Sequence, residues 1–206
     1  MPDKRQKIFY TALGISGIAA LYLMLGSWIF GKQAFFLALN NDLGQKADQL
    51  FRYGTLLGDG IIWVPIVIFI FIYRVRYMPL IASAILISTL ITQGVKRLLF
   101  PAEPRPAFGL IDMTLVHTVP GVELNTINSF PSGHTGTAFT IFLIACLLIK
   151  KWWILPIGFF YAAVAGYSRI YLAQHFPVDV GAGILTGMIT VLISAEIQRR
   201  WEPLVQ

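Results

Sequence analysis

The stretch Ile61-Ile-Trp-Val-Pro-Ile-Val-Ile-Phe-Ile-Phe-Ile-Tyr73 contains no charged residue, and it is one of several such apolar stretches in the chain. Most of the charged residues lie in the gaps between them. The chain has 206 residues, of which 56% are hydrophobic and 13% are charged, and its mean hydropathy is +0.70. Soluble domains carry about 25% charged residues. This composition excludes a water-exposed globular domain and indicates an integral membrane protein.

Outward from this stretch, five further segments meet or approach the roughly 20 apolar residues that a spanning helix needs. The sequence therefore predicts an all-α fold, a polytopic membrane protein with six transmembrane helices in one bundle, forming a single domain over residues 1–206. The predicted spans are residues 8–30, 55–73, 77–97, 133–149, 152–172 and 176–197. Residues 44–53 are too polar to span, and together with the Phe35–Leu39 stretch they predict an amphipathic segment along the membrane interface over residues 33–53.

The net charge of +6 does not indicate nucleic-acid binding, because Lys and Arg collect at the ends of the predicted spans. At these positions basic residues orient a protein in the bilayer. With six spans, nine of the sixteen basic residues share a side with both termini. Four of the other seven belong to or adjoin polar motifs, which leaves nine against three. The predicted location is an integral membrane protein of the bacterial inner membrane, with cytoplasmic termini and an active site on the extracytoplasmic, periplasmic or extracellular, membrane face.

Three polar clusters occur at the ends of predicted spans. The first runs from Lys96-Arg97 to Arg105-Pro106, the second is Pro131-Ser132-Gly133-His134, and the third is Ser168-Arg169-x5-His175-x3-Asp179. An isolated charge at a helix end usually snorkels toward water. Here three helix ends on one face supply matching chemistry, which indicates a functional site.

The basic residues of these clusters are typical of a phosphate pocket, because Arg guanidinium groups bind phosphate oxygens in a bidentate way. The backbone N–H groups of Ser132 and Gly133 precede a helix and can point at an anion. A patch that only binds lipid headgroups would explain these cations, but it would leave two histidines unexplained. The predicted substrate-binding residues are Lys96, Arg105, Ser132, Gly133 and Arg169, with Arg97 as the alternative to Lys96.

The two histidines and one carboxylate are candidate catalytic residues. His175 and Asp179 are four residues apart, so they fall on one helical face. A carboxylate that accepts a hydrogen bond from one imidazole nitrogen orients the ring and makes the other nitrogen a nucleophile. His134 opens a different helix and can donate a proton to a leaving oxygen. Asp59, between two glycines, is interpreted as a structural helix-end residue.

These clusters resemble the type-2 phosphatidic acid phosphatase family, whose pattern is K-x6-R-P, P-S-G-H and S-R-x5-H-x3-D. The second and third motifs match at every fixed position. The first motif departs from the pattern, because eight residues separate Lys96 from Arg105 and seven separate Arg97 from it. Either residue can fill the lysine position, and Lys96 is preferred for its residue type.

The resemblance implies that His175 attacks phosphorus and forms a phosphohistidine, that Asp179 orients it, and that His134 protonates the leaving oxygen. It also implies that no metal or other cofactor is needed. The expected partners are a membrane lipid phosphate and the bilayer, with no nucleic acid, and the oligomeric state is left open.

The expected reaction is metal-independent hydrolysis of a lipid phosphate or diphosphate, with undecaprenyl diphosphate, phosphatidylglycerol phosphate, phosphatidic acid and lipid A phosphate all open as substrates. The same site could instead transfer phosphate to a second lipid. A non-enzymatic lipid transporter is the third alternative, which the lack of a visible internal repeat disfavours.

Overall fold

Eight α-helices make up most of the computed structural model, which describes residues 4–108 and 112–201 and contains no β-strand in those ranges. The all-helical class predicted from the sequence is confirmed. Short 3-10 turns join some of the helices, and the last turn after α5, Val95–Leu99, is π-helical. The helices are α1 (Lys4–Ile29), α2 (Lys32–Leu39), α3 (Gln45–Gly54), α4 (Trp63–Tyr73), α5 (Met78–Gly94), α6 (Gly133–Leu148), α7 (Ile154–Tyr171) and α8 (Pro177–Trp201).

Three helical segments in the described ranges are long and apolar enough to cross a membrane: Gln6–Ile29, Val75–Leu99 and Pro177–Trp201. A fourth span results if Gln45–Gly58 and Gly60–Tyr73, which are bent by 59° relative to each other, are counted as one. The structure therefore supports an integral membrane protein. The count of six spans stays a prediction, and part of each predicted cytoplasmic terminus lies outside the described residues.

Helix α8 lies at the centre of the bundle. In its most apolar 18-residue stretch, 56% of the residues are buried inside the protein, against 28% in the corresponding stretches of the segments that contain α1 and α5. It packs against α1, α5 and α6. By contrast, α1, α4 and α5 expose many large apolar side chains, among them Leu21, Phe71 and Leu90. Apolar surface of this extent is expected to face lipid.

Two glycines let α8 approach α6 at backbone distance. A Cβ atom built on Gly183 would lie 2.6 Å from the carbonyl oxygen of Ser132, and one on Gly187 would lie 3.0 Å from that of Gly136. Small residues at such crossings are a common device of membrane helix packing. The contact fixes the start of α6, which carries the Pro-Ser-Gly-His motif, against the first turns of α8.

The helix ends that carry the polar motifs meet at one end of the bundle, because successive helices from α5 to α8 alternate in direction. The end of α5 and the start of α6 lie there, as do the end of α7 and the start of α8. At the opposite end, the side chain of Gln198 accepts a hydrogen bond from the Leu80 N–H (3.1 Å) and donates one to the Arg76 carbonyl (2.9 Å). These bonds tie the last turns of α8 to the start of α5.

The long segment between α5 and α6 is fixed to the motif-bearing end of the bundle. Asn40 donates to the carbonyls of Ile170 (3.0 Å) and Tyr171 (2.9 Å), and its side-chain oxygen accepts from the His117 N–H at 2.8 Å. Val119 of the same segment packs in a small core with Tyr171 and Phe51. This anchoring holds the segment, and the motif residue Arg105 that it carries, over the turn between α7 and α8.

Candidate active site

His175 lies in the tight turn between α7 and α8 and is 1% exposed. The carbonyl of Arg169 accepts hydrogen bonds from the N–H groups of both Gln174 (2.9 Å) and His175 (3.0 Å). Ala173, within the turn, has a φ of 52°. The five-residue spacing in the third motif therefore closes a compact turn, which fixes the separation of the arginine and the histidine.

Asp179 lies in the first turn of α8 and faces His175, with 3.6 Å between its Oδ2 and the histidine Nδ1. This is an ion-pair distance and is longer than a hydrogen bond. The same carboxylate oxygen accepts from the Phe176 N–H (2.9 Å) and from the hydroxyl of Ser129, whose Oγ is 3.4 Å from His175 Nδ1. The sequence predicts a direct hydrogen bond between Asp179 and His175. In the structure the two groups lie too far apart for one, and the Ser129 hydroxyl connects them.

The surroundings of His175 favour its neutral form. Burial, followed by the positive charges of Arg105, Arg169 and Lys96, holds the pKa of His175 well below its ordinary value of 6.5. A neutral imidazole keeps a lone pair on one nitrogen, and that lone pair is what a nucleophile requires.

Arg105 is held by oxygen atoms of the segment that precedes α6 and of the His175 turn. Its Nε donates to the Ile127 carbonyl at 2.9 Å, and its Nη1 donates to the carbonyl and the side-chain oxygen of Gln174, both at 3.1 Å. Burial lowers the pKa of Arg105, while the nearby Asp179 carboxylate opposes that shift. The guanidinium is thereby fixed beside His175, and Gln174 is a neighbour that the motif pattern does not reveal.

Lys96 and Arg105 converge on one acceptor. The Lys96 Nζ donates to the carbonyl oxygen of Asn128 at 2.9 Å, and the Arg105 Nη2 lies 3.4 Å from the same oxygen. Lys96 belongs to the π-helical turn after α5, and such a turn takes in one residue more than an α-helical turn. Lys96 thus reaches the carbonyl oxygen that Arg105 also approaches, although the spacing of the first motif departs from the family pattern.

Arg169 lies near the end of α7 and is 7% exposed. Its Nη1 donates to the Thr55 hydroxyl at 2.5 Å, while its buried Nε has no hydrogen-bond partner among the described residues. A buried donor without a partner costs free energy. An anion that accepts from this N–H would remove that cost.

The start of α6 differs in one detail from the sequence prediction. The Ser132 N–H donates to the carbonyl of Asp179 at 2.9 Å, so it is not available to an anion. The Ser132 side chain instead caps α6 by accepting from the Thr135 N–H at 3.4 Å and hydroxyl at 2.9 Å. The N–H groups of Gly133 and His134 make no hydrogen bond within the described ranges, and they occupy the positive end of the helix dipole.

His134 meets a carboxylate from a distant part of the chain. Its Nε2 lies 3.6 Å from Oδ2 of Asp59, which lies at the 59° break between α3 and α4. A Cβ atom on Gly58 would lie 2.5 Å from the His134 carbonyl oxygen. Asp59 therefore lies at the site as well as at a helix end. A lone acid in an apolar region can mark a functional residue, but nothing near Asp59 in the sequence points to His134.

A group with the spacing of metal ligands occurs elsewhere in the described ranges. It consists of Asp42, Asp48 and His117, whose ligand atoms all lie within 4.8 Å of one another. His117 pairs with Asp48 at 3.0 Å, and this carboxylate also accepts from the Tyr171 hydroxyl at 2.7 Å. The group contains none of the predicted site residues, so metal-independent chemistry stays a prediction.

The site thus combines a buried imidazole whose surroundings favour its neutral form, cationic side chains from the ends of α5 and α7 and from the segment between α5 and α6, and a second histidine on α6. This arrangement is typical of a phosphate-processing site in a membrane helix bundle. A sequence profile of the PAP2 superfamily matches residues 76–203. The chain belongs to the PAP2 superfamily, and both the predicted resemblance and the expected enzyme class, a hydrolase of lipid phosphates, are confirmed.

Relatives and solved structures agree with this assignment. Over 203 residues the chain is 30% identical to the undecaprenyl-diphosphatase of Sulfolobus acidocaldarius, covering 94% of this chain and 93% of that protein. The crystal structure of Aquifex aeolicus LpxE superposes with a TM-score of 0.67 at 36% identity, over 78% of this chain and 92% of that one. A PAP2-type phosphatidylglycerolphosphate phosphatase from Bacillus subtilis shares the fold, with a TM-score of 0.60 at 20% identity over 97% and 98% of the two chains.

Proposed function

We propose that this protein hydrolyses a lipid phosphate or diphosphate at the extracytoplasmic membrane face, without a metal ion, through a phosphohistidine on His175. One observation carries the proposal. The imidazole of His175 is buried and linked to Asp179 through Ser129, and its burial and the surrounding positive charges favour the neutral form.

The proposed reaction has two steps. In the first, the free imidazole nitrogen of His175 attacks phosphorus, an N–P bond forms, and the P–O bond to the leaving group breaks. The His134 imidazolium gives its proton to the departing oxygen and becomes neutral. In the second step a water attacks phosphorus, His134 takes the proton of that water, and the N–P bond breaks to release inorganic phosphate and restore both histidines.

Lys96, Arg105 and Arg169 would bind the nonbridging phosphoryl oxygens and stabilise the charge of the transition state. The unpaired Nε of Arg169 supplies one such donor. The N–H groups of Gly133 and His134 would supply two more donors. The sequence predicts the N–H groups of Ser132 and Gly133 in this role. The geometry favours Lys96 for the lysine role in the first motif, because its ammonium group shares an acceptor with Arg105.

A crevice beside His134 supports entry of the substrate from the membrane. It is a cavity of about 250 Å³ lined by Gly58, Gly133 and His134 and by the polar side chains Ser88 and Thr92 of α5. Polar side chains within a spanning helix usually face a functional path. We place the leaving group of the lipid in this crevice. The proposed protein is a single transmembrane phosphatase domain with six spans, and both of its termini are cytoplasmic.

Among the candidate lipids, an isoprenyl diphosphate such as undecaprenyl diphosphate is our first choice. The support is the nearly full-length similarity to an undecaprenyl-diphosphatase. Because the chain is similar to an LpxE structure, a lipid A phosphate stays among the candidate substrates. Phosphatidic acid and phosphatidylglycerol phosphate are the other two candidates.

The test is phosphate release by the purified protein in detergent with a chelator present, using these four lipids. Wild-type protein is expected to release phosphate from at least one of them, and His175→Ala is expected to release none. His117→Ala is the matched control, because His117 pairs with Asp48 outside the site. Wild-type activity in His175→Ala would overturn the nucleophile assignment, and label passing from a ³²P-labelled donor to a second lipid would replace hydrolysis by transfer.

A further inference from the structure

His134 and Asp59 form a second histidine–carboxylate pair, separate from the pair of His175 and Asp179. The Asp59 carboxylate comes from the break between α3 and α4, and its Oδ2 lies 3.6 Å from the His134 Nε2. This distance is longer than a hydrogen bond, and the two groups form an ion pair when the imidazole is protonated. Each histidine of the site therefore has its own carboxylate, supplied by a different part of the chain.

Local contacts fix the position of the Asp59 carboxylate. Its Oδ1 accepts a hydrogen bond from the Ile61 N–H at 2.9 Å, which caps the short turn Gly60–Ile62 and leaves Oδ2 to face the histidine. Gly58 packs directly on the His134 backbone. Thr55, on the same segment, receives a hydrogen bond from Arg169. The segment is thus held against two residues of the site, and each oxygen of its carboxylate faces a partner.

The charges around His134 explain why a carboxylate is needed there. Burial and the positive charges of Arg169, Arg105 and Lys96 all act against the charged form of the His134 imidazole, whereas Asp59 acts in its favour. A general acid must carry its proton before the reaction starts, and neighbouring positive charges disfavour an imidazolium. A negative charge at 3.6 Å acts in the opposite direction and reduces that repulsion.

We propose that Asp59 is a positioning residue that favours the protonated, proton-donating form of His134 for departure of the leaving group. This inference rests on the proposed function. Asp179 serves the attacking histidine, while Asp59 serves the histidine that protonates the leaving oxygen. The neutral His134 formed in the first step is already the base of the second step, so Asp59 contributes mainly to the first.

The test compares two substrates that differ in their need for a proton. An alkyl lipid phosphate has a basic alkoxide leaving group, whereas p-nitrophenyl phosphate releases a weakly basic phenolate. Asp59→Asn keeps the acceptor for the Ile61 N–H but removes the charge. We expect it to lower kcat on the lipid phosphate by about 100-fold and to leave turnover of p-nitrophenyl phosphate little changed.

Asp112→Asn is the matched control, because Asp112 makes the same local bond, to the Thr114 N–H at 2.9 Å, without a histidine partner in the described structure. It should change neither activity. In a His134→Ala background, Asp59→Asn should cause no further loss. An equal loss on both substrates, or an additional loss in that background, would overturn the positioning role. Because wild-type turnover and His175→Ala test the proposed function, such a result would leave that function standing.

Discussion

The Ser129 hydroxyl donates a hydrogen bond to Oδ2 of Asp179, and its oxygen lies 3.4 Å from Nδ1 of His175. When His175 carries its proton on Nδ1, that N–H can donate to the Ser129 oxygen while the serine proton goes to the carboxylate. A chain of two hydrogen bonds then fixes the tautomer and leaves Nε2 of His175 as the attacking atom.

Ser129→Ala is therefore expected to lower kcat, because the imidazole loses its link to the carboxylate. A hydrogen bond to a charged group contributes about 1.5–3 kcal/mol, which corresponds to a loss of roughly 10- to 100-fold in rate. Steady-state kinetics on the preferred lipid would measure it. Ser83→Ala is the control, since within the described part of the chain the Ser83 hydroxyl donates only to the backbone carbonyls of Pro79 and Leu80 in α5. An unchanged kcat in Ser129→Ala would contradict the relay.

The helices and the local pairs of the site could be predicted from the sequence, because both depend on residues that are near each other in the chain. Long apolar runs form helices in a membrane, and His175 and Asp179 are four residues apart. Ser129 could not be predicted as their link. It lies 46 residues before His175 and reaches it only through the packing of the segment that precedes α6.

Asp59 and Ser132 show the same limit. The acid at position 59 is a helix-end residue by its local sequence, and only the bend between α3 and α4 brings it to His134. The Ser132 N–H should be free at a helix start, yet the close crossing of α6 and α8 supplies the Asp179 carbonyl as its acceptor. Both outcomes depend on tertiary contacts that local sequence rules do not encode.

Lys96→Ala and Arg97→Ala form a matched pair for the first motif. Lys96 shares the Asn128 carbonyl with Arg105, so its loss should lower kcat/KM by roughly 10- to 100-fold, the effect of one charged hydrogen bond to the phosphoryl group. Arg97→Ala should have little effect, because no described contact joins Arg97 to the site. Kinetics of both variants decide the assignment. A larger loss in Arg97→Ala would reverse it.

The pH dependence of kcat/KM should reflect the lowered pKa of His175. Its ordinary pKa is 6.5, and burial and the neighbouring cations lower it, so the imidazole stays neutral and active below that pH. The same pKa shift makes the stability of the fold depend on pH. The unfolded chain takes up the proton more readily than the folded protein, so this group makes the fold less stable as pH falls through 6.5.

Arg105→Gln is the variant that checks this cause. Removing one positive charge beside His175 raises the pKa of that imidazole, so the acid limb of kcat/KM should move to higher pH than in the wild type. The substrate titrates equally in both profiles, so the difference between them reports the enzyme. An acid limb that stays in place, or one that moves to lower pH, would argue against control of His175 by its cationic neighbours.

Gly183→Ala should destabilise the protein and also impair the site, because the added methyl would lie 2.6 Å from the Ser132 carbonyl and 2.9 Å from the Thr135 Cβ. Overpacking of this kind costs about 1–3 kcal/mol, and it would push the start of α6 away from α8. Gly14→Ala is the control, since a Cβ there meets nothing within 4 Å and alanine favours the helix. Thermal unfolding in detergent and turnover would be measured for both. Equal unfolding midpoints for Gly183→Ala and the wild type would show that α6 and α8 can move apart without loss of stability. The close crossing would then not be what holds Gly133 and His134 in place.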